Sequence, residues 1–232
     1  ESSRGAGDLY FGTFRTLPVI VYNQKLVAES EAPRDWDDLL QPRFTGRVLI
    51  RDPIASGVMR TIFSMVLARS ERETGSTARG LEWLARLDAQ TKEYVANPAL
   101  LHEKVMRGEG EVTMWELTDI LLERQKGVPF GYRFAASGTP VIDDAVALAT
   151  GAPHRAAALE FLEFVGSVEA QALAAERAFR IPARTDMPRE KLPAWAREVL
   201  TAMQPAVYDE ALAAAKGQEW MALWDRTVRG QG

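Results

Sequence analysis

The sequence predicts an α/β protein with mostly parallel, mixed sheets and a helical C-terminal segment. Between Tyr22 and Phe134, short runs of β-branched and aromatic residues alternate with longer stretches of helical periodicity. Such alternation is typical of parallel strands that are joined by crossover helices. After Gly138 the pattern changes to one strand-like run and then to helices interrupted by prolines.

The predicted strands are short apolar runs bounded by turn residues. Val19, Ile20 and Val21 are consecutive, which suits a strand that is covered on both faces. Strands are expected at residues 9–14, 17–22, 48–50, 91–95, 112–115, 131–134 and 141–149.

The predicted helices combine apolar positions at helical spacing with capping residues. An apolar stripe predicts a helix from about Gly57 to Arg72. Asp35 is expected to cap a short helix at 36–40, and Asn97, followed by Pro98, is expected to cap a helix that ends near residue 106. Further helices are expected around residues 81–87, 118–125, 158–165, 168–178 and 220–224.

Composition excludes several classes of protein. The 232 residues are 47% hydrophobic and 26% charged, which is ordinary for a globular chain. The net charge of −4 argues against nucleic acid as the main partner, and the absence of cysteine excludes disulfides, thiolate catalysis and cysteine-ligated metal centres. No apolar run approaches the ~20 residues that span a bilayer. Residues 1–8 lack an apolar secretory core, so either the chain is cytoplasmic or a targeting segment has been removed.

Catalytic motifs are missing from the sequence. The two histidines, His102 and His154, lack a partner at helical ligand spacing and are expected at the solvated surface. Neither Gly-x-Ser-x-Gly, Gly-x-Gly-x-x-Gly nor a Walker loop occurs. We therefore expect no catalytic residue, no cofactor and no metal site. An enzyme that uses paired carboxylates, such as a glycosidase, is the weakest alternative.

Polar residues follow two predicted strands at the points where helices begin. In the turn 52–57, Ser56 offers a hydroxyl, Gly57 allows close approach to the backbone, and the amide of Val58 lies in the first helical turn. Asn97 repeats the arrangement after the next strand. Since helix N-termini favour negative charge, the two turns could cradle an anion. The alternative is that Ser56 and Asn97 only cap their helices.

Two further positions are candidates for ligand contact. Trp115 at the end of a strand could stack on a ligand, while Glu116 or Asp119 could meet a cation or an amine. Alternatively, Trp115 belongs to the core and Asp119 caps the helix. Arg15, between the first two strands, could bind a carboxylate or phosphate through its fork of donors, or could be a surface arginine.

Several short motifs occur in one order along most of the chain. They lie at residues 19–23, 33–47, 52–57, 106–109, 138–140, 145–148, 151–154, 157–164, 167–171 and 182–184. In this order they resemble the bacterial extracytoplasmic solute-binding proteins of ABC importers, in the group that contains ferric-iron, phosphonate and sugar-phosphate binders. The resemblance implies a type 2 periplasmic-binding fold, in which two hinged α/β lobes close on a solute.

The resemblance also implies a division of the chain and a set of partners. Residues 1–22 would supply hinge and first-lobe strands, 23–137 the second lobe, 138–180 a remnant of the first lobe, and 181–232 C-terminal helices packing on the second lobe. The family's Ser-Gly anion turn carries over to Ser56 and Gly57, with Asn97 at the second turn. The expected partners are a small anionic or zwitterionic solute and ABC permease subunits, in a periplasmic or other extracytoplasmic location.

Two departures from the family pattern modify these expectations. Family members carry a further strand–helix segment before the hinge, so the first lobe is expected to be incomplete. Its uncovered residues Phe161, Leu162 and Val165 should then associate with a second copy or be completed by another chain. The tyrosine pair of ferric-iron binders is absent at 115–119, so tight Fe(III) binding is not expected. An Fe(III) binder with a non-tyrosine site and a ligand-sensing module remain alternatives.

Overall fold

The computed structural model describes residues 10–229, which divide into two compact units. Of these residues, unit 1 contains 10–17 and 141–203, and unit 2 contains 18–140 and 204–229. The chain therefore passes from one unit to the other after Leu17, Pro140 and Met203. The opening segment 1–8 and the first residue of the predicted strand 9–14 lie outside the described residues.

Unit 1 contains a three-stranded antiparallel sheet and three α-helices in its described part. The strands are β1 (Phe11–Thr16), β7 (Ile142–Val146) and β8 (Ile181–Pro182), in the order β7-β1-β8. The runs predicted at 9–14 and 141–149 thus pair with each other. The helices are α5 (Arg155–Gly166), α6 (Val168–Ala178) and α7 (Ala194–Ala202).

Helices α5 and α6 leave large apolar side chains uncovered. No residue of α5 is buried, and its Phe161 and Phe164 are 59% and 58% exposed. These two phenylalanines are three residues apart and share one side of α5, which we call the apolar face of unit 1. Leu159 of α5 and Leu173 of α6 are also exposed. The predicted exposure of this helix is confirmed at Phe161. The neighbouring residues 162 and 165 are partly covered.

Unit 2 is built on a five-stranded mixed sheet. Its strands are β2 (Pro18–Asn23), β3 (Val48–Arg51), β4 (Thr91–Val95), β5 (Val112–Glu116) and β6 (Phe130–Arg133), in the order β4-β3-β5-β2-β6. Strand β3 is parallel to β4 and β5, whereas β2 is antiparallel to β5 and β6. The α/β prediction is confirmed, because β3 to β6 all run in one direction.

The reversed direction of β2 has a local cause. Strands β3 to β6 are connected by α-helices, which return the chain to the same end of the sheet. Between β2 and β3 the chain forms only 3₁₀ turns, at Glu29–Glu31, Trp36–Leu40 and Pro42–Phe44. An alternation of strands and helices predicts parallel pairing only for strands that a helix connects.

The helices of unit 2 are α1 (Gly57–Thr74), α2 (Ala78–Gln90), α3 (Pro98–Arg107), α4 (Leu117–Gln125) and α8 (Glu210–Thr227). Two of them, α1 and α3, begin where the capping residues predict. Ser56 accepts a hydrogen bond from the amide of Met59, and Asn97 accepts one from Leu100. Asp35 forms a reciprocal capping box at the start of the 3₁₀ turn 36–40.

The core of unit 2 joins the sheet to the C-terminal helix α8. Trp224 of α8 is fully buried, and its ring meets Phe63 and Tyr94 edge-on at centroid distances of 5.3 and 5.2 Å. Helix α7 instead belongs to unit 1, where Trp195 contacts Phe179 at 5.3 Å.

The division into units differs from the predicted one at three places. Strand β2 belongs to unit 2, since both of its edges are paired there. Residues 138–140 also belong to unit 2, where Thr139 is bridged to Pro205. Residues 181–203, including α7, belong to unit 1, and only α8 and the stretch before it join unit 2. Within residues 10–229, no helix is both long enough and apolar enough to cross a membrane.

Candidate functional site

Three strand-to-helix turns of unit 2 lie at one edge of its sheet. Strands β4, β3 and β5 are adjacent and parallel, so their carboxyl ends meet at the same edge. Helices α3, α1 and α4 begin there, with the N-terminus of α1 in the middle. Ligands of open α/β sheets bind at this edge. Seven of the eight predicted ligand-binding residues belong to these turns: Ser56, Gly57, Val58, Asn97, Trp115, Glu116 and Asp119.

The central turn presents backbone amides at the start of α1. The first hydrogen bond of the helix runs from the amide of Arg60 to the carbonyl of Ser56, so the amides of Gly57 and Val58 precede the helical ladder. Gly57 is exposed, whereas Ser56 is buried with its Oγ 3.3 Å from the amide nitrogen of Met59. The capping role of Ser56 is therefore present. Among the described residues, its hydroxyl donates no hydrogen bond.

An ion pair that the sequence analysis missed braces this turn. Asp52 accepts a hydrogen bond from the amide of Ile54 and another from Nη2 of Arg229, each at 2.8 Å. Burial alone would raise the pKa of Asp52, but the hydrogen bonds from Arg229 and Ile54 outweigh burial and lower it. The carboxylate therefore stays ionised, and Arg229 compensates its charge in part, because Arg229 also pairs with Asp225 at 3.1 Å. Arg229 is itself held over the rings of Tyr94 and Trp224, at 5.2 and 5.6 Å.

The turn between β4 and α3 offers a second polar group at the sheet edge. Asn97 is exposed, and its Oδ1 accepts a hydrogen bond from the amide of Leu100 at 3.2 Å. In the part of the chain that the structure describes, the Nδ2 of Asn97 donates no hydrogen bond. Asn97 thus caps α3 with one atom and keeps two N–H donors for a ligand.

The turn between β5 and α4 is anchored by a tryptophan. Trp115 is only 6% exposed, and its indole N–H donates to Oδ2 of Asp119 at 2.8 Å. Of its two predicted roles, the structure supports core packing. Asp119 holds this indole and does not cap α4, which has no side-chain cap. Glu116 precedes the helix and is half-buried.

His102 does not lie at the solvated surface, so this prediction is wrong. Its ring packs edge-on against Trp115 and Phe130, at 5.8 and 6.2 Å, and its Nε2 is buried with no hydrogen-bond partner in the described chain. Burial lowers the pKa of His102, although the charges of Asp119 and Glu123 oppose that effect. His102 follows Leu101 and lies beside the buried stripe of α3 rather than on it. Its position along the helix therefore did not indicate that it would be buried. His154 is exposed, as predicted.

Arg15 lies on β1 in unit 1, whereas the other seven predicted site residues belong to unit 2. Its Cα is paired with that of Asp143 across the sheet, and its Nε lies 3.4 Å from the Asp143 carboxylate. Among residues 10–229, no group of three or more histidine, aspartate or glutamate side chains is arranged to hold a metal ion.

Comparison with known proteins places the chain in a family. The family model of the bacterial extracellular solute-binding proteins matches residues 6–180. The chain belongs to this family. Its members are binding proteins rather than enzymes, and the recognition made from the ordered motifs is confirmed.

Two relatives illustrate the range of solutes named in this family. The chain is 27% identical over 202 residues to iron uptake protein A1 of a Synechocystis species, covering 82% of this chain and 54% of the relative. It is 26% identical over 229 residues to a putative 2-aminoethylphosphonate-binding periplasmic protein of Salmonella typhimurium, covering 95% and 61%. The chain thus spans little more than half the length of the curated relatives that it matches.

Solved structures share the fold of this chain. One is the periplasmic binding protein AfuA from Actinobacillus pleuropneumoniae with fructose-6-phosphate bound, which has a TM-score of 0.78 and 21% sequence identity. The match covers 98% of this chain and 70% of the AfuA chain. The apo ferric ion-binding protein A of Pasteurella haemolytica has a TM-score of 0.79 and 18% sequence identity, and the match covers 97% of this chain and 71% of that protein. These similarities confirm the periplasmic-binding-protein fold.

Proposed function

We propose that this chain is the solute-binding component of a bacterial ABC importer and that it holds a small anionic or zwitterionic solute. The observation that most supports this proposal is at the edge of the unit 2 sheet, where helices α1 and α3 begin after the adjacent parallel strands β3 and β4. Membership of the solute-binding family supports the transport role, with permease subunits as partners and a periplasmic location.

The anionic group of the solute is assigned to the N-termini of α1 and α3. An α-helix carries about half a positive charge at its N-terminus, and its first amides have no partner within the helix. The amides of Gly57 and Val58 and the hydroxyl of Ser56 would bind the anion, and the side-chain amide of Asn97 would donate to it. Arg229, which also pairs with Asp225, compensates part of the charge of Asp52 and so lessens its opposition to this attraction.

A positive group of the solute is assigned to the third turn. Asp119 uses one carboxylate oxygen for the indole of Trp115, which fixes the carboxylate and leaves the other oxygen as an acceptor. Glu116 adds a second carboxylate at the start of α4. Together these residues favour a zwitterion over a simple anion. Trp115 would contribute by holding Asp119 in place rather than by stacking on the solute.

Calorimetric titration with defined probes tests this proposal. The probes are inorganic phosphate, 2-aminoethylphosphonate, fructose-6-phosphate and ferric citrate. Ser56→Ala and Asn97→Ala should each weaken binding of the best phosphate or phosphonate by about 1.5–3 kcal/mol, the usual contribution of one hydrogen bond to a charged group. If both variants bind as tightly as the parent chain, the assignment to this edge is wrong.

A matched control separates binding from stability. Ser167 caps α6 in unit 1 by accepting from the amide of Ala170 at 3.1 Å, so Ser167→Ala removes a cap as Ser56→Ala does. Each loss should destabilise its helix by about 1 kcal/mol. Only Ser56→Ala should also weaken binding of the solute. A red charge-transfer band with ferric citrate would instead favour an iron binder, because that colour requires phenolate–iron bonds.

A further inference from the structure

A cavity within unit 1 is lined by three arginines. Its volume is about 340 Å³, and it lies beside β1 and β8 against the chain that follows β8. Arg15, Arg184 and Arg189 face it, and none of its lining residues is an aspartate or a glutamate. Met187, Leu192 and Leu200 supply apolar walls. Cavities of roughly 300–1,000 Å³ that combine apolar walls with a few polar groups are typical small-molecule sites.

Arg15 carries donors that the protein leaves unused. A guanidinium has five N–H donors. The Nε of Arg15 is buried and forms no hydrogen bond with any described residue. Its closest acid is Asp143, whose carboxylate is 3.4 Å away without hydrogen-bonding geometry. Asp143 therefore compensates the charge of Arg15 without accepting its N–H donors, and the donors of the guanidinium fork remain for a bound anion.

The other two arginines differ in how firmly they are held. Arg184 donates twice to Asp186, at 2.8 and 2.6 Å, and once to the carbonyl of Gly166 at 2.7 Å. Arg189 donates to the hydroxyl of Thr201 at 3.1 Å. Within the described ranges, no carboxylate lies within 4.0 Å of Arg189, so its charge is uncompensated. The cavity therefore has one fixed guanidinium and two with spare donors.

We propose that this cavity is a second ligand site, which binds a small organic anion with a carboxylate or phosphate group on an apolar body. The acidic group would be held by the forks of Arg15 and Arg189, since planar guanidinium groups match both carboxylate and phosphate. The apolar body would lie against Met187, Leu192 and Leu200. All of its residues belong to unit 1, whereas those of the solute site proposed above belong to unit 2.

Binding of simple aromatic probes tests the site. Benzoate and phenyl phosphate carry the two acidic groups on one apolar ring, benzyl alcohol lacks the charge, and inorganic phosphate lacks the ring. Titration of the 232-residue chain should detect at least one of the aromatic anions, with benzyl alcohol at least tenfold weaker. Arg189→Gln should reduce the binding of this aromatic anion and leave the binding of inorganic phosphate to the solute site of unit 2 unchanged. The acid that binds more tightly identifies the ligand's head group. Failure of both aromatic anions, or equal binding of benzyl alcohol, overturns the proposal.

Three substitutions assign the binding to the cavity. Arg189→Gln should weaken binding of the aromatic anion at least tenfold. This variant should still fold, because Arg189 is exposed. Arg15→Lys keeps the charge but loses the fork, and should also weaken binding. Arg177→Gln removes an arginine of α6 that is 75% exposed and outside the cavity, and should change nothing. Asn97→Ala, which tests the solute site of unit 2, should leave the aromatic anion unaffected. Unchanged binding in Arg189→Gln refutes the site.

Discussion

Gly57→Ala should stabilise the protein and weaken its binding of the solute, so the two effects have opposite signs. An added Cβ at Gly57 meets no atom closer than Nη2 of Arg60, at 4.0 Å, and Gly57 does not have the left-handed backbone that favours glycine. The fold therefore accepts the methyl group. Alanine is more favourable than glycine in a helix by at most about 1 kcal/mol, because glycine loses more backbone freedom on folding. For a chain of this size, such a gain raises Tm by roughly 2–4 °C.

The effect on affinity follows from the same open space. An oxyanion that accepts from the amides of Gly57 and Val58 must approach the backbone where the new methyl group would stand. Loss of one hydrogen bond to a charged group costs about 1.5–3 kcal/mol, which corresponds to a roughly tenfold to hundredfold loss of affinity. Calorimetry with inorganic phosphate and thermal unfolding of the ligand-free chain measure the two effects in one buffer.

Gly166→Ala is the matched control for this experiment. Gly166 is the last residue of α5 in unit 1, and an added Cβ there meets nothing within 4 Å. This variant should keep the affinity of the parent chain. If Gly57→Ala binds phosphate as tightly as the parent chain, the anion does not lie on these amides. If Gly57→Ala lowers Tm, the space at the turn is not open, and the structural argument fails.

Three further predictions test other parts of the structure. Gly131→Ala should destabilise unit 2 by about 3 kcal/mol in urea unfolding, because the new Cβ would lie 2.1 Å from Cζ of the buried Tyr22; stability like that of Gly166→Ala would contradict this. Burial lowers the pKa of His102 from its ordinary 6.5, so stability is complete above that pH and falls as pH drops towards the folded pKa. Between pH 7.5 and 5.5, His102→Gln should lose less Tm than the parent chain, whereas a His154→Gln control should lose as much. The apolar face of unit 1 should make the chain associate in light scattering, and replacing its two phenylalanines by serine should reduce association; a monomeric parent chain that binds no hydrophobic dye would refute this.

Local chemistry explains why much of the fold could be predicted. Helix starts at Ser56, Asn97 and Asp35 depend on a hydrogen bond within three residues, so the capping residue and its partner are both visible in the sequence. The parallel direction of β3 to β6 follows from the helices that connect them. The position of seven site residues at one sheet edge follows from the same rule, because parallel strands end together.

Features that depend on distant packing could not be predicted. The Asp52–Arg229 ion pair joins residues 177 positions apart, and no local pattern marks Arg229 as the partner. The burial of His102 depends on the rings of Trp115 and Phe130 on other elements. The placement of Arg15 in unit 1 depends on which strands pair with β1, and an arginine between two strands looks the same on either side of a unit boundary.

Capping and anion binding at Ser56 are compatible, because they use different parts of one hydroxyl group. The oxygen accepts from the amide of Met59, and this bond fixes the side chain at the start of α1. The hydrogen of the same hydroxyl can still donate, and the amides of Gly57 and Val58 lie before the first helical bond. A capped helix therefore presents a rigid set of donors rather than a saturated one. The pairing of Asp52 with Arg229, which Asp225 shares, reduces the opposing charge at this turn, so an aspartate at its start is compatible with the proposed anion.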